Sequence, residues 1–189
     1  MILYPTETLY ALGVNAFDSK EIAKLNIIKD RDKSKVAISW LVRDMDDIAR
    51  YAEIPEKATK IAEQFLPGSL TLVLKSKIDI SNNLIAKDRT IGFRLTSDPI
   101  AQKLIAEYME EHNAPLTCTS ANVSGLSTLA TPSEILQQFG SKASMITKTT
   151  DDGPRKGLAS TVVRVLGDDV TVLREGEITQ KQVEEAILS

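Results

Sequence analysis

The stretch PLTCTSANVSG, residues 115–125, joins a strand pattern to an abruptly polar turn. Its first half, up to Thr119, predicts a buried β-strand. Its second half supplies small hydroxyls, an amide and a glycine, from Ser120, Asn122, Ser124 and Gly125. Such a loop can present N–H and O–H groups to an anion, although a plain turn uses the same residues. Strand followed by polar loop is typical of α/β proteins, in which ligands gather at strand ends.

The sequence on both sides of this stretch contains a mixture of helix and strand patterns. Upstream, the segment DPIAQKLIAEYMEEHN predicts the strongest helix, because Asp98 is a preferred N-cap and Pro99 suits the first turn. Further helices are predicted at DSKEIAKLNIIKD, DMDDIARYA, PEKATKIAEQFL, SEILQQF and about Thr179 to Leu188. Strands are predicted at MILY, KVAISWLV, PGSLTLVLKS, TIGFRL, SMITK, STVVRVL and VTVLRE. The order predicts one α/β domain over residues 1–189, with a mixed, twisted β-sheet and flanking helices.

Composition excludes several functional classes. The 189 residues carry a formal net charge of −3, which argues against coating nucleic acid by bulk charge, so at most weak RNA binding is expected. One cysteine and one histidine nearly exclude a His/Cys zinc site, and no protein metal site is expected. No apolar run approaches the ~20 residues of a membrane span, so we expect a cytoplasmic protein with no membrane contact.

Four polar segments interrupt the patterned elements and are the candidates for chemistry. They are PTET at 5–8, KDRDKSK at 29–35, TSANVSG at 119–125 and GLAST at 157–161. Lys29 and Arg31 leave a predicted helix end with side chains able to converge, and a guanidinium matches phosphate or carboxylate geometry. The alternative interpretation is a solvated charge run at a helix C-terminus.

Two further residues carry an ambiguous signal. Cys118 lies in a predicted strand, where a small buried hydrophobe is the more frequent role than a nucleophile. Trp40 also lies in a predicted strand. Its simplest interpretation is a core residue, but its ring can also form the wall of a pocket.

Seven motifs, taken together, resemble those of one family. In order, they are PTETLYALG, KDR, PGSLT, IGFR, SANVSG, GLAST and LREGEIT, from Tyr4 to about Ile178. This series resembles the YrdC/Sua5 family of threonylcarbamoyl-AMP synthases, in the short single-domain form. The departures are Ala11 for a glycine, Asp32 for a proline, and Trp40 where many members have a histidine. The family's N-terminal helix is also expected to be absent.

The resemblance implies substrates and site residues. Family members make threonylcarbamoyl-AMP and pyrophosphate from L-threonine, bicarbonate and ATP, with Mg²⁺ carried by the ATP. A threonylcarbamoyl-transferase partner then modifies adenosine 37 of tRNA. The catalytic K-x-R/S-x-N constellation corresponds to Lys29, Arg31, Ser120 and Asn122. The positions that contact ATP correspond to Arg31, Lys35, Thr90, Ser120, Thr128 and Arg174. The positions on the threonine side correspond to Thr8, Trp40, Arg94, Cys118 and Ser160.

The reaction brings together three anions, and a positively charged cleft is therefore expected. No protein nucleophile is needed, so positioning and stabilisation of charge at the α-phosphate would supply the catalysis. Two alternatives remain open at this point. One is a double-stranded RNA-binding or ribosome-maturation module, for which a basic cleft suffices. The other is a carbamoyl-adenylate-forming relative of the hydrogenase-maturation type.

Overall fold

Strand β6, Leu116–Ser120, occupies the middle of the sheet, as the opening stretch predicts. A computed structural model describes residues 1–31, 38–78, 88–155 and 157–188. Lys35 and Asp32 lie outside the described residues. The other strands are β1 Ile2–Tyr4, β2 Ala11–Gly13, β3 Ser39–Leu41, β4 Leu70–Lys75, β5 Thr90–Arg94, β7 Lys148–Thr149, β8 Thr161–Leu166 and β9 Asp169–Arg174. The α-helices are α1 Ser19–Ile28, α2 Met45–Tyr51, α3 Glu56–Phe65, α4 Pro99–His112, α5 Pro132–Phe139 and α6 Gln180–Leu188.

The described strands form one mixed sheet in the order β7-β1-β2-β6-β3-β5-β4-β8-β9. The pairs β1–β7, β3–β5 and β4–β8 are parallel. The pairs β1–β2, β2–β6, β3–β6, β4–β5 and β8–β9 are antiparallel. The predicted α/β class with a mixed sheet and flanking helices is confirmed.

Helix starts follow local side-chain chemistry. Asp18 accepts hydrogen bonds from the backbone N–H groups of Lys20 and Glu21, and Asp98 caps α4 in the same way. At α5, Thr131 and Glu134 form a reciprocal capping box. These contacts satisfy N–H groups that the first helical turn leaves without partners, and they explain why the predicted helix starts are correct.

One strand prediction needs correction, and one strand was not predicted. SMITK does not form a strand over its length, because a 3-10 helix runs over Gly140–Met145 and only Lys148–Thr149 pairs with β1. Strand β2 was not predicted. It has three residues, too few for an alternating pattern, and it is held between β1 and β6 by tertiary pairing.

Strand β3 shows how the sheet divides its two faces. Successive side chains of a strand point to opposite faces. Ser39 lines a cavity on one face, whereas the ring of Trp40 packs on the other face against the rings of Phe17, Tyr51 and Phe93, with centroids 5.5, 5.5 and 5.9 Å away. Trp40 is fully buried. Its place in the core follows from strand alternation.

Candidate functional site

A cavity of about 580 Å³ lies over the sheet. Its walls come from the 6–11 segment, from strands β3, β4, β5, β6, β8 and β9, and from Arg31 and Thr128. The structure brings many of the predicted site residues to this one place. Those that line it are Thr8, Arg31, Thr90, Arg94, Cys118, Ser120, Thr128, Ser160 and Arg174.

The charged groups of the cavity are mostly guanidinium groups. Among the described lining residues, the arginines are Arg31, Arg94, Arg164 and Arg174, and the one carboxylate is that of Asp88. Burial lowers the pKa of Arg174, and the nearby positive charge of Arg94 lowers it further, which places two cations close together. This composition supports the expectation of a positively charged cleft, which stays a prediction.

Among the cavity arginines, Arg31 has a hydrogen-bond donor that is free to bind a ligand. Its Nη1 atom is buried and has no hydrogen-bond partner among the described residues. Burial also lowers the pKa of this guanidinium, because a low-dielectric surrounding disfavours the charged form. A buried N–H group without a partner is costly, so Arg31 is suited to an anionic ligand that would enter the cavity.

Lys29 does not line the cavity, contrary to the expected pairing with Arg31 around a ligand. Its Nζ atom donates to the backbone carbonyl oxygens of Ser120 and Asn122, the latter at 2.8 Å. The backbone carbonyl of Lys29 in turn accepts from the N–H of Ser124 at 2.8 Å. Lys29 is buried at the end of α1, where the preceding helix points it at the polar loop. It therefore fastens that loop to α1.

Asn122 also lies behind the cavity wall instead of in it. Its Oδ1 atom accepts from the hydroxyl of Ser120 at 2.5 Å, and its Nδ2 atom donates to the carbonyl of Leu126 at 2.7 Å. These bonds hold the turn that follows β6 and orient the Ser120 hydroxyl, which does line the cavity. The K-x-R/S-x-N constellation is therefore brought together, but Arg31 and Ser120 line the cavity, whereas Lys29 and Asn122 support its wall.

The PTET segment is fixed by its own side chains. The Thr6 and Thr8 hydroxyls are 3.0 Å apart, and Thr6 Oγ1 donates to the carbonyl of Leu9 at 2.6 Å. The Glu7 carboxylate accepts from Arg94 Nη2 and from the hydroxyl of Thr96. Glu7 is thus an ion-pair partner that orients Arg94, whose Nε atom is buried with no partner among the described residues.

Ser160 is held from two sides. Its hydroxyl lies 2.8 Å from the Thr71 hydroxyl and accepts from Arg174 Nη2 at 3.2 Å. Arg174 also donates to the carbonyl of Ser160 at 2.8 Å. A Cβ atom built at Gly176 would lie 2.8 Å from the carbonyl carbon of Ser160, so only glycine lets this backbone approach. The segment is rigidly placed at the cavity edge.

Cys118 and Trp40 have different outcomes. Cys118 lines the cavity, and burial raises the pKa of its thiol, which keeps it neutral and agrees with the small-hydrophobe interpretation. Trp40 was expected at the threonine side, and this placement is wrong. The ring lies on the opposite face of β3, because the family motif fixes a position along the chain and not the face on which its side chain lies.

Several cavity residues were not predicted. Ser39, Asp88 and Arg164 line it and lie in no family motif, whereas Thr71 ends the motif PGSLT but was not assigned to the site. For Arg164 a signal existed in the sequence. It is the one charged residue within the apolar strand pattern STVVRVL, and it alternates in step with Val162 toward the cavity.

The described residues offer no three His, Cys, Asp or Glu side chains that could hold a metal ion together. No helix in the described part of the chain has the length and apolar character required to cross a membrane.

Comparison with known proteins identifies the family to which the chain is similar. A family model described as Sua5/YciO/YrdC, telomere recombination, matches residues 1–176. A putative threonylcarbamoyl-AMP synthase of Methanocaldococcus jannaschii is 36% identical over 179 residues, which cover 94% of this chain and 80% of that protein. The threonylcarbamoyl-AMP synthase of Bacillus subtilis is 31% identical over 191 residues, covering 99% of this chain and 53% of that protein.

A solved structure shows the same relation. Sua5 of P. abyssi, crystallised with L-threonine, superposes with a TM-score of 0.86 at 29% identity, covering 98% of this chain and 53% of that one. The chain therefore spans about half the length of the Bacillus and Pyrococcus proteins that it matches. With the family model matching most of its residues, the chain belongs to the Sua5/YciO/YrdC family.

Proposed function

We propose that this chain is a nucleotidyltransferase that makes threonylcarbamoyl-AMP and pyrophosphate from L-threonine, bicarbonate and ATP. The observation that carries the proposal is the single cavity in which residues of the ATP set and of the threonine set meet. The names of the Methanocaldococcus and Bacillus relatives, and the threonine in the Pyrococcus structure, support the same reaction.

The first step joins threonine to bicarbonate. The free amine of threonine attacks the bicarbonate carbon, and loss of water leaves a carbamate. Arg94 would bind the threonine carboxylate, since its Nε–H is buried without a partner and its position is fixed by Glu7. Thr8 and Ser160 would supply hydroxyl groups beside it.

In the second step a carbamate oxygen attacks the α-phosphorus, and the bond from that phosphorus to the leaving pyrophosphate breaks. Arg31 and the Ser120 hydroxyl would stabilise the charge that develops on the phosphate oxygens. Thr90, Thr128 and Arg174 would position the nucleotide, and Lys35 is assigned to the same role by resemblance alone. No step uses Cys118, whose neutral thiol is a poor nucleophile.

Magnesium would enter with ATP. The described cavity lining offers one carboxylate, Asp88, which fits an ion held mainly by phosphate oxygens and water better than one held in a protein cage. When bound, the ion neutralises phosphate charge. A threonylcarbamoyl-transferase that acts on tRNA would consume the adenylate.

Pyrophosphate release tests the proposal. We expect release by the purified chain only when ATP, L-threonine and bicarbonate are all present, together with a product of the mass of threonylcarbamoyl-AMP by mass spectrometry. L-Serine in place of threonine is the matched substrate control. Release that continues without threonine or without bicarbonate would refute the synthase assignment.

A substitution at Trp40 tests its corrected placement. Trp40→Phe is expected to lower the free energy of unfolding by about 1–2 kcal/mol, because packing volume is lost from a buried aromatic cluster. The KM for threonine should stay unchanged, since Trp40 faces away from the cavity. Urea unfolding and steady-state kinetics measure the two quantities. A raised KM for threonine with an unchanged free energy of unfolding would contradict the core placement and indicate that Trp40 contacts threonine.

A further inference from the structure

Arg164 is a cavity residue that the reaction described above does not use. It lies on β8, where register pairs it with Val73 of β4 and Thr171 of β9. Its Nε atom is buried and has no hydrogen-bond partner among the described residues. A buried donor at the wall of a cavity raises the question of which part of a ligand it contacts.

The surroundings of Arg164 differ from those of the other cavity arginines. Arg31 shares the cavity with the Ser120 and Thr128 hydroxyls, and Arg174 contacts Ser160. The cavity residue directly opposite Arg164 is Val73 of β4, and Val162 and Leu173 add further apolar surface beside it. Two polar lining residues, Thr71 and Arg174, are paired with Val162 one step further along the strands. Apolar walls are unsuited to phosphate and suited to a planar heterocycle.

The positive charge of Arg164 is partly neutralised by an ion pair within the protein. Its Nη2 atom lies 3.5 Å from Asp169 Oδ2 and donates to the Thr171 hydroxyl at 3.4 Å. Both contacts are made by Nη2, so the Nε–H group keeps no partner among the described residues. A guanidinium can in addition bind an aromatic ring by stacking its plane on the ring. The negative charge of the Asp169 carboxylate also weakens the electrostatic attraction between Arg164 and a phosphate group.

The two ends of the cavity fit the two ends of a nucleotide. Ser120 ends β6 and Arg164 lies on β8, which are four interstrand spacings apart, or roughly 19 Å along the sheet. The β6 end carries hydroxyls and Arg31. At the other end, Arg164 lies beside the apolar Val73, Val162 and Leu173, and the polar group of Thr71, Ser160 and Arg174 lies next to them. An extended nucleoside triphosphate has this same polarity, with phosphates at one end and the base at the other.

We propose that Arg164 binds the purine base of the nucleotide by stacking its guanidinium on the ring, over the wall formed by Val73, Val162 and Leu173. This inference rests on the proposed function, because it takes the nucleotide to be a substrate of the cavity. Arg164 is thus a base-binding residue and contributes little to phosphate affinity.

Calorimetric titration with ATP and with inorganic triphosphate, which has no base, tests the proposal. Arg164→Ala is expected to weaken ATP binding by about 5- to 30-fold, the range of a partly desolvated cation–π contact. Affinity for inorganic triphosphate should not change. Arg164→Lys should weaken ATP binding as much as alanine does, because lysine keeps the charge and lacks the plane. Arg50→Ala, an exposed arginine on α2 outside the cavity, is the matched control.

Three results would overturn the role of Arg164. They are an equal loss of affinity for ATP and for triphosphate in Arg164→Ala, unchanged affinity for both, or full recovery in Arg164→Lys. The proposed reaction fails on a different readout. If the wild-type protein releases no pyrophosphate with threonine and bicarbonate, the synthase assignment is wrong, while the comparison of ATP with triphosphate still decides what Arg164 binds.

Discussion

Arg31→Ala is expected to slow threonine- and bicarbonate-dependent pyrophosphate release by roughly 30- to 150-fold, which corresponds to the ~2–3 kcal/mol of a desolvated charge-assisted contact to phosphate. Arg31 lines the cavity, and its Nη1 atom is buried without a partner in the described part of the chain. Its loss therefore removes a contact that exists only with the ligand bound.

The fold should survive this change, and that separates the effect from unfolding. Because the orphaned Nη1 costs free energy in the unliganded protein, Arg31→Ala should leave the urea midpoint unchanged or slightly raised. Arg50→Ala is the surface control and should match the wild type in rate. Arg31→Lys should recover only part of the rate, since a point charge does not replace a planar fork. An unchanged rate in Arg31→Ala would remove Arg31 from the site.

Lys29→Met is expected to lower the free energy of unfolding by about 2–4 kcal/mol above neutral pH. The change removes the Lys29 donor from the buried carbonyl oxygen of Asn122, at about 1–3 kcal/mol, and one of two donors from that of Ser120, which keeps the Asn122 N–H, at about 1 kcal/mol. Methionine is a close match in length, so little packing volume is lost. Chemical unfolding of both proteins measures the difference. Lys24→Met, at an exposed position on the same helix, is the control and should cost little.

The effect of Lys29→Met should also depend on pH. Burial, with the nearby charge of Arg31, lowers the pKa of Lys29 to about 7 in the folded protein from an ordinary value of 10.5. Between these values the unfolded chain binds more protons, so the free energy of unfolding of the wild type rises with pH, by up to about 1.4 kcal/mol per pH unit. The difference between wild type and Lys29→Met should therefore widen from pH 7 to pH 9. A difference that narrows over this range would contradict the neutral buried amine.

Local signals in the sequence predicted the helices and most strands of this fold. Asp18, Asp98 and Thr131 each cap a helix through contacts two or three residues away, which is the range that a sequence pattern reports directly. Strand β2 was missed because three residues show no period, and SMITK was extended too far because its apolar residues pack without ladder pairing.

The site was predicted less evenly, for a physical reason. A motif gives the order of residues, but the strand on which each lies decides whether it faces the cavity, as Trp40 and its neighbour Ser39 show. Motif spacing also does not distinguish a residue that contacts the ligand from one that holds a neighbouring loop. Lys29 was therefore predicted beside the ligand, whereas its amine hydrogen-bonds the loop behind the cavity wall. Arg164 lies in no motif, and its signal in the sequence was a single charge within the apolar strand pattern STVVRVL.

The floor of the cavity is the sheet itself, with contributions from segments as distant in sequence as Thr8 and Arg174. A chain still emerging from the ribosome has only part of this floor until β8 has paired with β4 and β9 with β8. Full substrate affinity is therefore acquired only after β9 has been made. Because a ligand stabilises only the species that binds it, ATP and threonine would protect chains in which β8 and β9 have joined the sheet from proteolysis and leave shorter ones unprotected.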